Sequence, residues 1–257
     1  METFSILKIK DNSKEMVDDL VVEEVPLTLL IGNKELVTIL CMPSDLEDLV
    51  RGFLFTSGLI RKAQDIEKIV LDRERWSVYI ELADKSVDTA FVFKRLYTSG
   101  CGKGTLFYSL QDISKRRKIT SDLKFNVDQI SCLMSEFQKK SEGYLSTGGA
   151  HSAALAGENG ILAFREDIGR HNAIDKIIGL WLSQSRNFQD KVMLTSGRIS
   201  SEVLLKIQKC RIPMIISRSA PTNQAVKLAK DMGITLVGFV RGNRMNIYSG
   251  EERINLG

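Results

Sequence analysis

The chain has 257 residues, of which 43% are hydrophobic and 26% are charged, as is usual for a globular protein with one or two cores. Its net charge of +4 suits an anionic ligand but is too small to indicate nucleic-acid binding. No stretch approaches the roughly 20 apolar residues of a membrane span. Residues 1–20 lack the regions of a signal peptide, and the four cysteines show no pairing pattern. We therefore expect a cytoplasmic protein without membrane or nucleic-acid partners.

The first part of the chain, residues 1–118, is predicted to be a small β-rich domain. Apolar runs at residues 21–31 and 34–41 are separated by Gly32-Asn33, which is a hairpin signal. Residues 44–49 combine a Ser-Asp N-cap signal with two acids, so a helix is expected to begin there. Further strands are predicted over residues 68–72, 76–82 and 91–97.

The second part, residues 119–257, alternates between helical and strand patterns. Amphipathic helices are predicted over residues 127–137, 174–182, 199–209 and 221–232. Short strands are predicted over residues 161–164, 191–195, 213–217, 235–240 and 245–248. Gly233 is a candidate for the residue that ends the last helix. This alternation predicts a layered α/β domain in which helices cover a sheet.

The most distinctive motif is a cysteine set among glycines, Gly100-Cys101-Gly102-Lys103-Gly104. The glycines remove side-chain bulk and permit many backbone conformations, so the thiol could approach another molecule. The neighbouring cations Lys94, Arg95 and Lys103 would favour the nucleophilic thiolate. Cys101 is therefore the predicted catalytic residue.

The other three cysteines are predicted to be structural or inert. Cys41 ends an apolar strand, and Cys210 lies at helical spacing with Val203 and Ile207, so both are expected in the core. Cys132 lies off the apolar stripe of its helix. Since the sequence has neither C-x-x-C nor H-E-x-x-H, no metal site is expected.

Polar residues collect where three predicted strands end, at residues 165–172, 195–198 and 217–223. Each turn leads into a helix, whose free N–H groups and dipole favour anions. Together they predict a pocket for a phosphorylated ligand, although each turn alone could be ordinary capping. The only two histidines, His151 and His171, lie in glycine-containing segments beside polar groups and are further candidates for the site.

Several segments carry a resemblance to a known family: GCGKG, TGGAHSAAL, REDIGRHNAIDKIIG, LTSGRISSEVLLKI and SRSAPTNQAVKLAKDMGITLVGFVRGNRMNIYSG. They resemble the FdhD-type formate dehydrogenase accessory proteins. The resemblance implies a sulfurtransferase that carries sulfur as a persulfide on Cys101. The donor would be a cysteine desulfurase, and the acceptor the molybdenum cofactor, bis-molybdopterin guanine dinucleotide, used by formate dehydrogenase. It also implies a cytidine-deaminase-like fold for the second part, and leaves a homodimer open.

The resemblance places the family's cofactor-contacting segment on residues 239–244, and the polar turns supply further candidates. The predicted cofactor-binding residues are Arg170, His171, Ser196, Gly197, Arg198, Phe239, Val240, Arg241, Gly242, Asn243 and Arg244. Arginine suits such a ligand because its planar guanidinium can bind phosphate through two hydrogen bonds. The cofactor would be bound as a substrate, with no metal held directly by the protein.

One position departs from the family pattern. The family loop often reads C-G-x-C-G, whereas Gly104 stands here in place of the second cysteine. A relay between two loop cysteines is therefore impossible, although one thiolate is enough to carry a persulfide. Two alternatives stay open: a chaperone that binds the cofactor without moving sulfur, and a nucleoside or nucleotide hydrolase on the same scaffold.

Overall fold

A computed structural model describes residues 1–32, 34–84 and 118–256, together with the backbone of two short strands. These strands, β7 (Leu96–Tyr97) and β8 (Thr105–Leu106), pair antiparallel. The strand predicted over residues 91–97 coincides with β7 only in its last two residues, and the rest of it lies outside the described residues. The glycine-rich loop with Cys101 also lies outside them.

The chain begins with a hairpin that the sequence reading did not identify, formed by β1 (Glu2–Lys10) and β2 (Ser13–Val21). Its two-residue turn, Asp11-Asn12, holds both residues at positive φ, 49° and 64°. This is the backbone of a type I′ turn, which Asp and Asn adopt more readily than other non-glycine residues. That dipeptide is the signal that could have revealed the hairpin.

The β-rich region that follows contains a four-stranded sheet in the order β4-β3-β6-β5. Its strands are β3 (Val25–Ile31), β4 (Lys34–Cys41), β5 (Ile66–Asp72) and β6 (Ser77–Leu82). β3 and β6 are parallel, whereas the two outer pairs are antiparallel. The predicted hairpin at Gly32 and the strands over residues 68–72 and 76–82 are therefore confirmed.

Helix α1 (Leu46–Ser57) also follows the prediction, with Glu47 and Asp48 in its first turn, but its N-cap differs. Asp45 occupies the N-cap with φ 52°, and its side chain makes no capping hydrogen bond. Instead its carboxylate lies 3.2 Å from Nε of Arg165. A contact across the fold thus replaces the local cap.

A six-stranded sheet forms the centre of the second part, in the order β11-β10-β12-β13-β14-β15. The strands are β10 (His151–Gly157), β11 (Gly160–Asp167), β12 (Val192–Thr195), β13 (Met214–Ser217), β14 (Thr235–Arg241) and β15 (Arg244–Ser249). The central strands β12, β13 and β14 are parallel, and the outer ones are antiparallel. The predicted strands are confirmed. β10 was missed, because its alanine-rich sequence has little strand character.

The helices of this part are α2 (Val127–Lys139), α3 (Glu142–Thr147), α4 (Arg170–Ser183), α5 (Ser201–Cys210) and α6 (Asn223–Met232). Two short strands, β9 (Phe125–Asn126) and β16 (Ile254–Asn255), pair in parallel. The four predicted helices are confirmed, and Gly233 ends α6 with φ 67° as expected. The six-residue α3 was not predicted.

Helices cover both faces of the six-stranded sheet. Buried side chains of α2 share a core cluster with Ala154, Leu194 and Ile216 on one face. Those of α1, α4, α5 and α6 share a cluster with Leu155 and alternate strand residues on the other face. This second cluster continues into β3 and β6. The fold is therefore mixed α/β with helices on a sheet. The cytidine-deaminase-like layering and the boundary between residues 118 and 119 stay predictions.

Helices α1 and α4 join the two parts by a backbone contact at two glycines. A Cβ atom on Gly52 would lie 1.8 Å from the carbonyl oxygen of Asp175. A Cβ atom on Gly179 would lie 1.8 Å from the carbonyl oxygen of Asp48. Only glycine permits this approach, since the overlapping atoms belong to main chain that cannot rotate away. Among the helices that the structure describes, none has the length and apolar character needed to cross a membrane.

Replacing Gly52 by Ala should destabilise the protein by about 1–3 kcal/mol or more, because overpacking the crossing forces the helices apart. The change improves helix propensity by about 1 kcal/mol. Any loss of stability is therefore due to the steric overlap at the helix crossing. Unfolding by urea, followed by the fluorescence of buried Trp181, measures it.

Gly157→Ala is the matched control, since its Cβ would meet only the end of the Leu162 side chain, at 3.4 Å. Equal stability of Gly52→Ala and the wild-type protein would contradict the crossing as described.

Candidate cofactor-binding site

A cavity of about 430 Å³ opens where the parallel strands of the six-stranded sheet end. It is lined by the residues that follow β12 and β13, by the end of β14 and by the start of the antiparallel β10. Helices α2 and α3 close its other side through Phe137, Tyr144 and Leu145. Ligands of open α/β sheets bind at this edge, and the volume is in the usual range for small-molecule sites.

The structure brings three of the predicted binding residues to this cavity: Ser196, Phe239 and Arg241. Arg218 and Ser219, from one of the polar turns, line it as well, as does His151, which the sequence named as a further candidate. The remaining predicted residues do not line it: Arg170, His171, Gly197, Arg198, Val240, Gly242, Asn243 and Arg244. Sequence reasoning missed the wall from α2 and α3, because α3 carries no motif that marks it as part of a site.

Phe239 lines the cavity in an unusual backbone conformation. Its φ is +55°, in the left-handed region that bulky residues rarely adopt. The ladder between β14 and β15 shifts register between Gly238 and Arg241, and the N–H of Phe239 donates to the carbonyl of Ser219 instead. Such strain costs about 1–3 kcal/mol and is usually found at functional sites. The bulge is what places an aromatic ring beside the polar turn.

Arg241 and Arg244 face each other across the tight turn between β14 and β15. Both are exposed, and Gly242 at φ 54° forms the turn. The hydroxyl of Ser131 on α2 donates to the carbonyl of Gly242 at 2.6 Å. The turn is thus attached to a covering helix, while its two guanidinium groups stay accessible to an anion. Val240, in contrast, is fully buried in the core.

Ser196 and His151 form a hydrogen-bonded pair in the cavity wall. The Oγ atom of Ser196 accepts from the N–H of Ser152 at 3.0 Å and lies 3.1 Å from Nδ1 of His151. Burial lowers the pKa of His151, and Arg170 adds to this effect. The imidazole is therefore neutral near pH 7.

Arg170 and His171 begin α4, directly after Gly169, and lie beside the cavity wall. A Cβ atom on Gly197 would lie 2.8 Å from Cβ of Arg170, so Gly197 leaves the space that this side chain occupies. Nε2 of His171 lies 3.3 Å from a carboxylate oxygen of Glu202. Burial, with Lys206 and Arg170 nearby, lowers the pKa of His171 to about 3. The imidazole is therefore neutral at pH 7, and the contact is not an ion pair.

Two other charged residues of this segment, Asp167 and Lys176, stabilise the fold. Asp167 and Lys176 form an ion pair of 2.7 Å in which neither side chain has any exposed surface. Asp167 also accepts from the backbone N–H of Met42 and Gly169 and from the Asn172 amide. The same Asn172 amide donates to the carbonyl of Leu40.

A second set of charges links α4 to its neighbours. Asp175 accepts from the Thr56 hydroxyl of α1 at 2.8 Å and forms an ion pair with Lys206 of α5. Burial raises the pKa of Asp175, and Lys206 opposes the rise. Arg165 of β11 forms an ion pair with Asp48 of α1, and the two charged atoms are 2.8 Å apart. These contacts join the β-rich region to the six-stranded sheet.

The described cysteines behave as predicted. Cys41 is fully buried, and burial raises the pKa of its thiol to about 12. Cys210 is buried, and desolvation raises its pKa strongly. Cys132 is exposed on α2. Within the described ranges, no three His, Cys, Asp or Glu side chains come together as a metal site would require.

The fold is that of an α/β protein with a cavity at the ends of its parallel strands. The side chains that line this cavity can bind an anion. Residues 22–255 match the model of the FdhD/NarQ family. The chain therefore belongs to the FdhD/NarQ family.

Relatives and a solved structure agree with this assignment. The chain is 41% identical over 239 residues to the sulfur carrier protein FdhD of Bacillus subtilis (strain 168), covering 93% of this chain and 91% of the relative. It is 39% identical over 251 residues to the same protein of Staphylococcus aureus (strain MRSA252), covering 97% and 94%. A crystal structure of a protein from Desulfotalea psychrophila, assigned as a formate dehydrogenase accessory protein, matches with a TM-score of 0.81. That match covers 99% of both chains at 24% identity, and so supports the fold.

Replacing Lys176 by Met should cost about 3–5 kcal/mol of the free energy of unfolding, because it leaves the Asp167 carboxylate buried without a cation. The urea midpoint and slope give this value directly.

Lys140→Met is the matched control. It removes the cation of an exposed pair with Glu136, 3.8 Å apart, and such pairs contribute about 0–1 kcal/mol. Similar losses of unfolding free energy for the two variants would show that the buried pair stabilises the protein no more than an exposed pair.

Proposed function

We propose that this chain is a sulfur carrier. It would take persulfide sulfur from a cysteine desulfurase and transfer it to the molybdenum cofactor, bis-molybdopterin guanine dinucleotide, that formate dehydrogenase uses. The observation that carries the proposal is the match, along nine tenths of the chain, to relatives named as sulfur carriers. A role with formate dehydrogenase is supported by the description of the structural neighbour.

Cys101 is the proposed carrier. Cys41 and Cys210 are unsuited because they are buried and their thiol pKa values are raised. Cys132 is exposed on α2 but lacks the glycine-flanked setting of Cys101. In the loading step, the Cys101 thiolate attacks the outer sulfur of the donor persulfide. The donor's S–S bond breaks, its cysteine leaves as a thiolate, and a new S–S bond forms on Cys101 without net oxidation. Release of that sulfur as sulfide consumes two electrons, which a thiol reductant would supply.

We assign the cavity to one guanine nucleotide half of the proposed substrate. Arg218 and Arg241 offer guanidinium groups for the phosphates, and Phe239 offers a ring face for the base. Ser196 and neutral His151 add hydrogen-bonding groups without adding charge. Arg244, across the turn from Arg241, could contact a phosphate that extends beyond the cavity. Arg170, His171, Gly197 and Arg198 stay predictions from the polar turns, and Val240, Gly242 and Asn243 stay predictions from the family resemblance.

A chaperone that binds the cofactor without transferring sulfur is the second candidate. The replacement of the second loop cysteine by Gly104 favours it, and the cavity serves both functions equally well. The hydrolase alternative has no metal-ligand set within the described residues to support it.

Incubation with a cysteine desulfurase and cysteine should load the wild-type protein with one extra sulfur atom, located on Cys101 by mass spectrometry. Cys101→Ala should abolish this loading, because no other accessible cysteine has the same setting. Cys132→Ala is the control and should load normally, since that exposed thiol lies on the surface of α2. Loading of Cys101→Ala to the wild-type level would disprove the assignment, whereas an unloaded wild-type protein would favour the chaperone.

Calorimetry with GDP should show binding that Arg241→Ala weakens about tenfold or more, since a hydrogen bond to a charged group is worth about 1.5–3 kcal/mol. Arg218→Ala and Arg244→Ala should weaken it as well. Arg75→Ala is the control, because this arginine is 78% exposed in the turn between β5 and β6 and does not line the cavity. Failure of the wild-type protein to bind GDP would count against the cavity as the nucleotide site.

A further inference from the structure

Helix α3 forms one wall of the candidate cofactor-binding site but has little packing of its own to keep it in place. Of its six residues, Gly143 alone is buried. Tyr144 and Leu145, the two residues of this helix that line the cavity, are 47% and 66% exposed. Isolated helices shorter than about 12 residues are unstable in water. The position of this wall therefore depends on contacts with neighbouring elements.

The carboxylate of Glu166, near the end of β11, binds the start of this helix. Its Oε2 atom accepts from the N–H of Gly143 at 2.8 Å, and its Oε1 atom accepts from the N–H of Tyr144 at 3.3 Å. Both donors lie in the first turn of α3, where N–H groups have no partner within the helix and the helix dipole favours negative charge. The hydroxyl of Ser141, which precedes the helix, donates instead to the carbonyl of Phe137.

The same carboxylate also contacts a strand that lines the cavity. Ser152 of β10 lies opposite Glu166 in the ladder, and its hydroxyl donates to Oε1 at 3.2 Å. Ser152 lines the cavity, and its backbone N–H donates to the Oγ atom of Ser196. Glu166 itself lies outside the lining of the cavity. It thus joins two walls of the cavity, α3 and β10, from behind.

We propose that Glu166 is a positioning residue for nucleotide binding. It holds α3 against β10, so that Tyr144 and Leu145 close the cavity around its ligand. The inference rests on the proposed function, which assigns one guanine nucleotide half of the substrate to this cavity. A purely electrostatic role would have the opposite sign, since removal of a negative charge beside the cavity would strengthen the binding of an anion.

Two substitutions separate the reach of the Glu166 side chain from its charge. Glu166→Asp keeps the charge but is one methylene shorter, so it should lose the contacts with α3 and weaken GDP binding about tenfold in calorimetry. Glu166→Gln removes the charge but keeps the length. Its amide oxygen can accept from Gly143 while its NH₂ group donates to the Ser152 hydroxyl, so binding should weaken less than about threefold.

Glu142→Asp is the matched control. Glu142 is an exposed acid in the first turn of the same helix, so this change shortens a side chain of the same type without touching the contact. It should leave GDP binding within about twofold of the wild-type value, as expected for an exposed position away from special contacts. Hydrogen exchange of the ligand-free protein should be faster at the amides of Gly143 and Tyr144 in Glu166→Asp, and unchanged there in the control.

A double-mutant cycle distinguishes positioning from a general loss of structure. Tyr144→Ala should weaken GDP binding about fivefold in the wild-type background, because the cavity loses an aromatic wall. In the Glu166→Asp background the same change should alter binding less than about twofold, since the helix no longer presents the ring there. The urea midpoint of each variant verifies that it is folded.

Three results would overturn the inference and leave the proposed function standing: wild-type GDP affinity in Glu166→Asp, equal weakening by Glu166→Asp and Glu166→Gln, or an equal effect of Tyr144→Ala in both backgrounds. A wild-type protein that does not bind GDP would overturn the nucleotide assignment of the cavity together with this inference. The failure of the positioning role and the failure of the proposed site are therefore distinguishable.

Discussion

The buried ion pair of Asp167 and Lys176 is the interaction on which the arrangement of the whole fold depends. The carboxylate of Asp167 ends the outer strand β11, and the ammonium group comes from α4. Because two charges without water are costly, the pair persists only where every remaining hydrogen-bonding position is satisfied. Asp167 meets this condition through the N–H groups of Met42 and Gly169 and the Asn172 amide. The pair thereby fixes the end of β4 against the start of α4.

The position of α4 in turn determines the position of the site. Its contact with α1 at Gly52 and Gly179 allows the two helices to touch through their backbones. Its first turn presents Arg170 to Gly197, in the loop that follows β12. Ser196 in that loop then meets His151 of β10 in the cavity wall. A chain of close contacts thus runs from a buried charge pair to the surface that would hold a ligand.

The sequence predicts the elements of the fold well, since amphipathic spacing and turn signals are local. It predicts the site less well, because the roles inside one motif depend on distant residues. At residues 165–172, polar residues suggest a phosphate-binding turn. The structure instead engages Asp167 with Met42, which is 125 residues away in the chain. Spacing alone cannot reveal such a partner. The positive φ of Phe239 is equally hidden, since it depends on the bulge beside β15 and on the carbonyl of Ser219.

The charges of this protein therefore separate into two groups. Asp167 and Lys176 are buried and paired with each other, and Asp175 is buried and bound by Lys206 and the Thr56 hydroxyl, so these charges stabilise the fold and are not available to a ligand. The histidines beside the cavity have lowered pKa values and stay neutral near pH 7. The positive charge at the cavity comes from Arg218 and Arg241 in its lining and from Arg170 beside its wall. A site built in this way would hold a polyanion, such as the proposed substrate, through fixed positive charge. This arrangement suits a protein that binds a phosphorylated substrate while a separate thiol performs the chemistry.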